Sequence, residues 1–272
     1  MAVSTLRPES PFEKAGTGSL PHPDGLAIER AGAILHIRLD RPAARNALTP
    51  AMYDGMREAI ASASADEAIR AVLVTAAGPS FCAGNDAAGF ERVRHLPRDE
   101  RPGYRFMTAL LDCPKPLVAA VSGNAVGIGA TMLLHFDLVY CAPGTRFHLP
   151  FTRLGLVPEF ASSYLLPRMA GHARAARWLL LGDPMNAGDA LDIGLVTECV
   201  IDTPPDDHAR AAAERLAALP AAALASSRAL MRAPKRRDVA EIMATEMDRL
   251  SERLASEETR ALIARLASPN RK

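Results

Sequence analysis

Hydrophobic and polar positions change their rhythm along the chain, and the rhythm sets the elements. In "GLAIERAGAILHIRLDRP" (25–42), Ile34, His36 and Arg38 alternate with Leu35, Ile37 and Leu39, which predicts two short strands around a turn at Ala31-Gly32. "TPAMYDGMREAIASA" (49–63) switches to a helical period. Thr49 suits an N-cap, Pro50 suits the first helical position, and Met52, Met56 and Ile60 mark a buried face. "AVLVTAA" (71–77) and "PLVAAVSGNAV" (116–126) are apolar runs of the kind that form strands covered on both faces, and "LVYCAP" (138–143) reads as a third. A helix is expected to start at "GIGATMLLHFD" (127–137), and others over 172–182 and 186–194.

From about residue 205 the pattern is wholly helical: 206–220, 222–232 and 239–267 are amphipathic. Lys235-Arg236-Arg237 lies between the last two and reads as a solvated turn. Strands alternating with helices predict an α/β core over 25–205, followed by a helical region over 206–272 that must bury its apolar stripe on the core or on another subunit. Residues 1–24 hold Pro8, Pro11, Pro21 and Pro23 with little periodicity and read as a mobile leader.

Composition narrows the picture only slightly. The 272 residues are 49% hydrophobic and 23% charged with a net charge of +1, so no strong field invites nucleic acid or a membrane surface. No apolar run reaches the length of a membrane span, and the N-terminal stretch has no basic-then-apolar signal pattern. The four cysteines are widely spaced without a C-x-x-C pair, which argues against a zinc site or disulfide framework and suits a reducing cytoplasm.

Two loops carry candidate chemistry. At Gly127-Ile128-Gly129 a buried strand meets a helix, and the Ile128 N–H is placed to donate where the helix dipole is positive. A simple tight turn is the alternative; Met132 stands where a dinucleotide fingerprint needs glycine. "FCAGND" (81–86) also follows a buried strand, and Gly84 frees the backbone before Asn85. Two such loops can aim two N–H groups at one oxygen, the geometry of an oxyanion hole. A third feature is Glu159, the one acid in the apolar stretch "LGLVPEFASSYLLP" (154–167). From composition alone it reads as a surface acid after a turn proline.

The succession "LDRPAARNAL" (39–48), "VLVTAAGPSFCAGND" (72–86), "KPLVAAVSGNAVGIGATMLLHFDLVYCA" (115–142) and "AGDALDIGLV" (187–196) resembles the crotonase, or enoyl-CoA hydratase/isomerase, superfamily. The resemblance runs from about Gly25 to Val200. It implies a spiral of ββα units with a helical C-terminal region that builds homotrimers or hexamers. It implies a coenzyme A thioester as substrate, with no metal and no separate cofactor. The two oxyanion donors would fall on the N–H groups of Asn85 and Ile128. Arg41, Ala43 and Ala83 would lie in coenzyme A contact segments, beside Gly84, Asp86 and Gly127. Asp86 would order the loop at the edge of the site.

The family's hydratases use two glutamates; the matching positions here are Thr131, whose hydroxyl is a very weak base, and Phe151, which cannot move a proton. "PFTRLGLVPEFASSYLLPRMAG" (150–171) instead resembles isomerases with a single acid, Glu159, desolvated by Val157, Pro158 and Phe160. Phe151, His148 and Phe160 suggest an aromatic pocket wall, and Tyr104 and Arg105 lie in a segment that shapes the acyl pocket. Asp137 and Cys82 read as structural, and Ser162 and Ser163 lack a nucleophile elbow. The leading expectation is a double-bond isomerase of acyl-CoA. A slow hydratase and an acyl-CoA-binding protein without catalysis are the alternatives.

Overall fold

The computed structural model describes residues 18–19, 22–93 and 95–267. Strands β1 (Gly18–Ser19), β2 (Leu26–Ala31), β3 (Ile34–Leu39) and β4 (Ala71–Ala76) begin the main sheet, with helix α1 (Pro50–Ala65) crossing from β3 to β4. The first two pairings are antiparallel and the third is parallel. Because β1 pairs Gly18 and Ser19 with Arg30 and Glu29, ordered structure reaches into the stretch read as a leader. The rest of 1–21 lies outside the described residues. Helix α1 forms as its sequence dictates: Pro50 opens it, the Thr49 hydroxyl accepts the Met52 N–H at 3.2 Å, and Met52, Tyr53, Met56 and Ile60 face the core.

Helices α2 (Ala87–Val93) and α3 (Pro102–Asp112) lead to β5 (Leu117–Val121), which is buried at every residue and parallel to β4. The apolar run 116–126 is not one strand. At Gly123 (φ +68°) the chain turns away, and a Cβ there would lie 1.9 Å from the Pro79 carbonyl oxygen, so no side chain fits. Strand β6 (Asn124–Val126) therefore belongs to a second, three-stranded sheet with β8 (Arg146–His148) and β9 (Met185–Asn186). Between them the expected helix over 127–137 is one α-turn, α4 (Ile128–Thr131), continued by a 3-10 turn, and β7 (Leu138–Cys141) returns beside β5. Helices α5 (Ser162–Ala170), α6 (His172–Leu179) and α7 (Ala187–Asp192) precede β10 (Glu198–Cys199), which completes a seven-stranded sheet of order β1-β2-β3-β4-β5-β7-β10.

Helix α8 (Pro205–Ala218) lays Ala209, Ala212 and Ala213 against Ile34, Leu73, Val118 and Tyr140. It covers one sheet face and packs as part of the core, although its period alone grouped it with the tail. The two helices expected over 222–232 and 239–267 are divided elsewhere: α9 runs unbroken from Ala221 to Ala255, and α10 spans Glu257–Ala267. Pro234 lies inside α9 and the basic run is helical rather than a turn. Pro in a helix interior costs about 3 kcal/mol. An arginine ladder on one face of α9 opposes that cost: Arg228 donates to the Cys113 carbonyl, Arg232 to the Leu111 carbonyl, and Arg236 to the Asp112 carboxylate. The true break is Ser256, whose hydroxyl accepts the Thr259 N–H and starts α10.

Candidate active site

The loops after β4 and β5 are held side by side by backbone bonds. Cys82 N–H donates to the Asn124 carbonyl (3.1 Å), Val126 N–H to the Cys82 carbonyl (2.8 Å), and Gly127 N–H to the His148 carbonyl (2.9 Å). On the other flank, Leu48 N–H donates to Gly84 and Asp86 N–H to Leu48, both near 2.8–2.9 Å. That alternation leaves the Asn85 N–H outside the ladder. Ile128 is the first residue of α4 and has no intrahelical acceptor. Among the described residues neither N–H enters a backbone hydrogen bond.

Glycines make the approach possible. Gly84 and Gly127 have φ of +90° and +53°. At Gly129, a Cβ would lie 2.7 Å from the Cys82 Cβ and 3.0 Å from its carbonyl oxygen. Gly129→Ala is therefore expected to push the two loops apart and lower kcat about 10²-fold, because donors misplaced by ~1 Å lose most of their value. Steady-state kinetics on the folded variant check this; an unchanged kcat would mean that loop spacing does not matter.

Beside these loops lies an apolar cavity of about 350 Å³, lined by Ala83, Gly84, Asn85, Gly127, Phe151 and Glu159 together with Leu154, Leu156, Leu250 and Ile263. A narrower extension passes Glu159 and is walled by Tyr53, Arg101, Tyr104, Met107, Met247 and Leu254. Glu159 is the single carboxyl group among these wall residues. It is 5% exposed, and burial, followed by the charge of Glu246, pushes its pKa up to about 8.

The remaining expected residues divide clearly. Arg41 and Ala43 do not line the cavity. Arg41 donates to the Asp86 carboxylate (2.9 Å) and the Ala47 carbonyl (3.1 Å), and Ala43 sits exposed on a 3-10 turn. Asp86 orders its loop by also accepting the Gly89 N–H (2.8 Å). Burial alone would raise its pKa, but these bonds and the charges of Arg41 and Arg92 hold it below the ordinary value. Thr131 is fully buried, does not line the cavity, and has no hydrogen-bond partner for its hydroxyl.

The aromatic wall also differs from expectation. Phe151 lines the cavity, but Phe160 is fully buried against the His135 ring, and the His148 ring bonds to Asn124 at 3.0 Å instead. Tyr104 faces the extension while Arg105, one residue on, is exposed. Cys82 is fully buried, and burial lifts its thiol to about 12, so it is no nucleophile. Asp137 is structural, accepting from Leu117 N–H (2.8 Å) and Arg228 (2.7 Å).

Three contributors had no distinct signal in the chain. Tyr53 donates to the Asn85 side-chain oxygen at 2.8 Å; burial, then the charges of Glu159 and Cys82, hold its hydroxyl well above its ordinary pKa. Asn46 is fully buried, donates to the Ala77 and Ser80 carbonyls and accepts the Arg41 N–H, all at 2.8 Å, so it ties the 41–48 segment to the loop. Glu246 reaches the Glu159 segment from α9. No group of three or more His, Cys, Asp or Glu side chains converges among the described residues.

A buried carboxylic acid in an apolar cavity thus stands next to two glycine-bounded loops whose Asn85 and Ile128 N–H groups enter no backbone hydrogen bond among the described residues. The sequence model of the enoyl-CoA hydratase/isomerase family matches residues 29–266, and the chain belongs to that family, on the crotonase fold. Enoyl-CoA delta isomerase 2 of Rattus norvegicus is 34% identical over 265 residues, covering 94% of this chain and 68% of that protein. The structure of OdaA from Pseudomonas aeruginosa is similar with a TM-score of 0.86 and 42% identity, covering 90% and 99% of the two chains. An enoyl-CoA hydratase/isomerase from Pseudoalteromonas atlantica gives 0.83 and 35%, covering 92% and 100%.

Proposed function

We propose that this enzyme moves the double bond of a 3-enoyl-CoA to position 2, with Glu159 as the one proton carrier. The observation that carries the reading is the solitary carboxyl group. Glu159 stands alone on the cavity wall, while the two positions that hold acids in hydratases are a buried threonine, Thr131, and a phenylalanine, Phe151. Hydration needs a water positioned and activated by two acids; isomerisation needs one base that acts twice. Glu159 takes a proton from C2, and the negative charge spreads into a dienolate. The Asn85 and Ile128 N–H groups stabilise the thioester oxygen, and Glu159 returns the proton to C4. The apolar walls suit an acyl chain and keep water from the dienolate.

On this reading coenzyme A arrives as part of the substrate and no resident cofactor is needed. Four free cysteines suit a reducing cytoplasm. Among the described residues no helix is long and apolar enough to cross a membrane. Exposed Leu230 and Met231 on α9, with Leu180 and Leu181, offer the apolar surface that a homotrimer or hexamer would cover.

The test is ultraviolet absorbance of the conjugated thioester formed from 3-hexenoyl-CoA, read from pH 6 to 10. Because the base must be ionised and its pKa lies at about 8, kcat/KM should rise with pH and level off above about 8. Faster formation of 3-hydroxyhexanoyl-CoA from 2-hexenoyl-CoA would reverse the assignment to a hydratase. Binding of both thioesters with no turnover would make it an acyl-CoA-binding protein.

A further inference from the structure

We infer that Glu246 is a positioning residue for the base: reaching across from α9, it fixes the turn that carries Glu159 and so sets where the Glu159 carboxyl group lies. The inference rests on the reading of Glu159 as the proton carrier.

The turn needs an external hold. Phe160 and Ala161 both adopt left-handed backbone, with φ of +56° and +55°. For residues with a Cβ this conformation is unfavourable and persists only where the surroundings over-determine it. Glu246, 7% exposed, supplies three bonds to the turn and to the first residues of α5. One carboxylate oxygen accepts the Ala161 N–H at 2.6 Å; the other accepts the Ser163 N–H at 3.0 Å and the Ser163 hydroxyl at 2.5 Å. These are the N–H groups a helix start leaves unpaired, and here the cap comes from a distant helix. The His135 ring N–H donates to the Phe160 carbonyl at 2.8 Å and the ring stacks on Phe160, which gives the turn a second hold. Farther back, Arg253 and Thr259 both donate to the Gly155 carbonyl at 2.8 Å. The C-terminal helices thus grip the Glu159 segment on both sides, while Leu250 of α9 walls the cavity itself.

Burial raises the pKa of Glu246 itself, the Ser163 and Ala161 donors oppose that rise, and its negative charge acts on Glu159 through space. The other titratable groups around Glu159 are Tyr53 and Cys82, both held protonated by burial, with Arg101 and Tyr104 on the wall of the cavity extension and neutral His135 behind Phe160. Replacing Glu246 by glutamine keeps the size, sets an NH₂ group against one set of donors, and removes the neighbouring negative charge.

The experiment compares wild type, Glu246→Gln, Ser163→Ala and Glu159→Gln in the 3-hexenoyl-CoA assay, with kcat expressed per folded enzyme. Glu246→Gln should lower kcat ten- to a hundredfold with KM changed less than about threefold, and should move the rise of kcat/KM to lower pH by at least about half a unit. Ser163→Ala removes one of the three bonds and should lower kcat several-fold in the same sense, which keeps the test open if Glu246→Gln does not fold. A role confined to stability would reduce the yield of folded enzyme and leave kcat and the pH profile unmoved; that result overturns the inference. If Glu159→Gln retains full activity, the reading of the base itself falls. If Glu159→Gln is inactive while Glu246→Gln and Ser163→Ala match wild type, the inference about Glu246 falls alone.

Discussion

Glu159→Gln should lower kcat for double-bond migration by about 10³–10⁴-fold while leaving thioester binding within a few-fold of wild type. The amide has the size and polarity of the carboxylic acid but accepts no proton, and no second carboxyl group lines the cavity to replace it. The loss should fall on kcat because the oxyanion donors proposed above are backbone N–H groups of Asn85 and Ile128, which the substitution does not touch. Rates with 3-hexenoyl-CoA and binding of a non-reactive saturated acyl-CoA measure the two effects separately. A variant with kcat within tenfold of wild type would remove Glu159 from the mechanism.

The same substitution should make the protein more stable, and only above a defined pH. Glu159 ionises in the fold at about 8, well above the ordinary carboxyl value of 4.5. The folded state therefore binds its proton more tightly than the unfolded chain does. That contribution is complete below about pH 4.5 and is lost as pH rises through 8. Glutamine never ionises, so Glu159→Gln should match wild type near pH 4, gain steadily between pH 5 and 8, and level off on the order of 3 to 5 kcal/mol more stable beyond that. Urea unfolding across this range checks the prediction. Parallel pH curves for the two proteins would mean that Glu159 is ionised in the fold at neutral pH, as a solvent-exposed acid is. Activity and stability thus pull on Glu159 in opposite directions, because the burial that strengthens the base also makes its charge costly.

Which parts of this site were legible in the chain follows from the range of the interactions. Helix α1 was readable because Thr49 and Pro50 act on their own neighbours. The two loops were readable because Gly84 and Gly127 permit local conformations that side chains resist. Glu159 stood out as a charge in an apolar stretch, and the family resemblance gave it a role to test. The split of 116–126 into β5 and β6 was not legible. Hydrophobicity records burial but not which sheet does the burying, and the decisive contact is with the Pro79 carbonyl, far off in sequence. Helix α9 ran through Pro234 for the same kind of reason, since its arginines find acceptors at the end of α3. Tyr53 carries no signal of its own beside Met52 on α1, and its hydroxyl meets Asn85 only when the fold closes. Glu246 is one acid on a helix rich in them, and only the turn at Phe160–Ala161 distinguishes it from its exposed neighbours. His148 and Phe160 were expected on the wall from proximity in sequence; the strand register and the stacking on His135 turn them elsewhere.

The most direct test of a single carboxyl group carrying one proton from C2 to C4 is to follow that proton. 3-Hexenoyl-CoA carrying two deuterium atoms at C2 is converted in a single turnover in ordinary water, and the product is analysed by mass spectrometry and deuterium NMR. Because Glu159 is buried beside an apolar cavity, the deuteron it takes should stay on it until C4 is reprotonated. The product should be a 2-hexenoyl-CoA of unchanged mass, with one deuterium at C2 and the other at C4. A product that has lost one deuterium and carries only solvent hydrogen at C4 would mean that Glu159 does not carry the proton from C2 to C4.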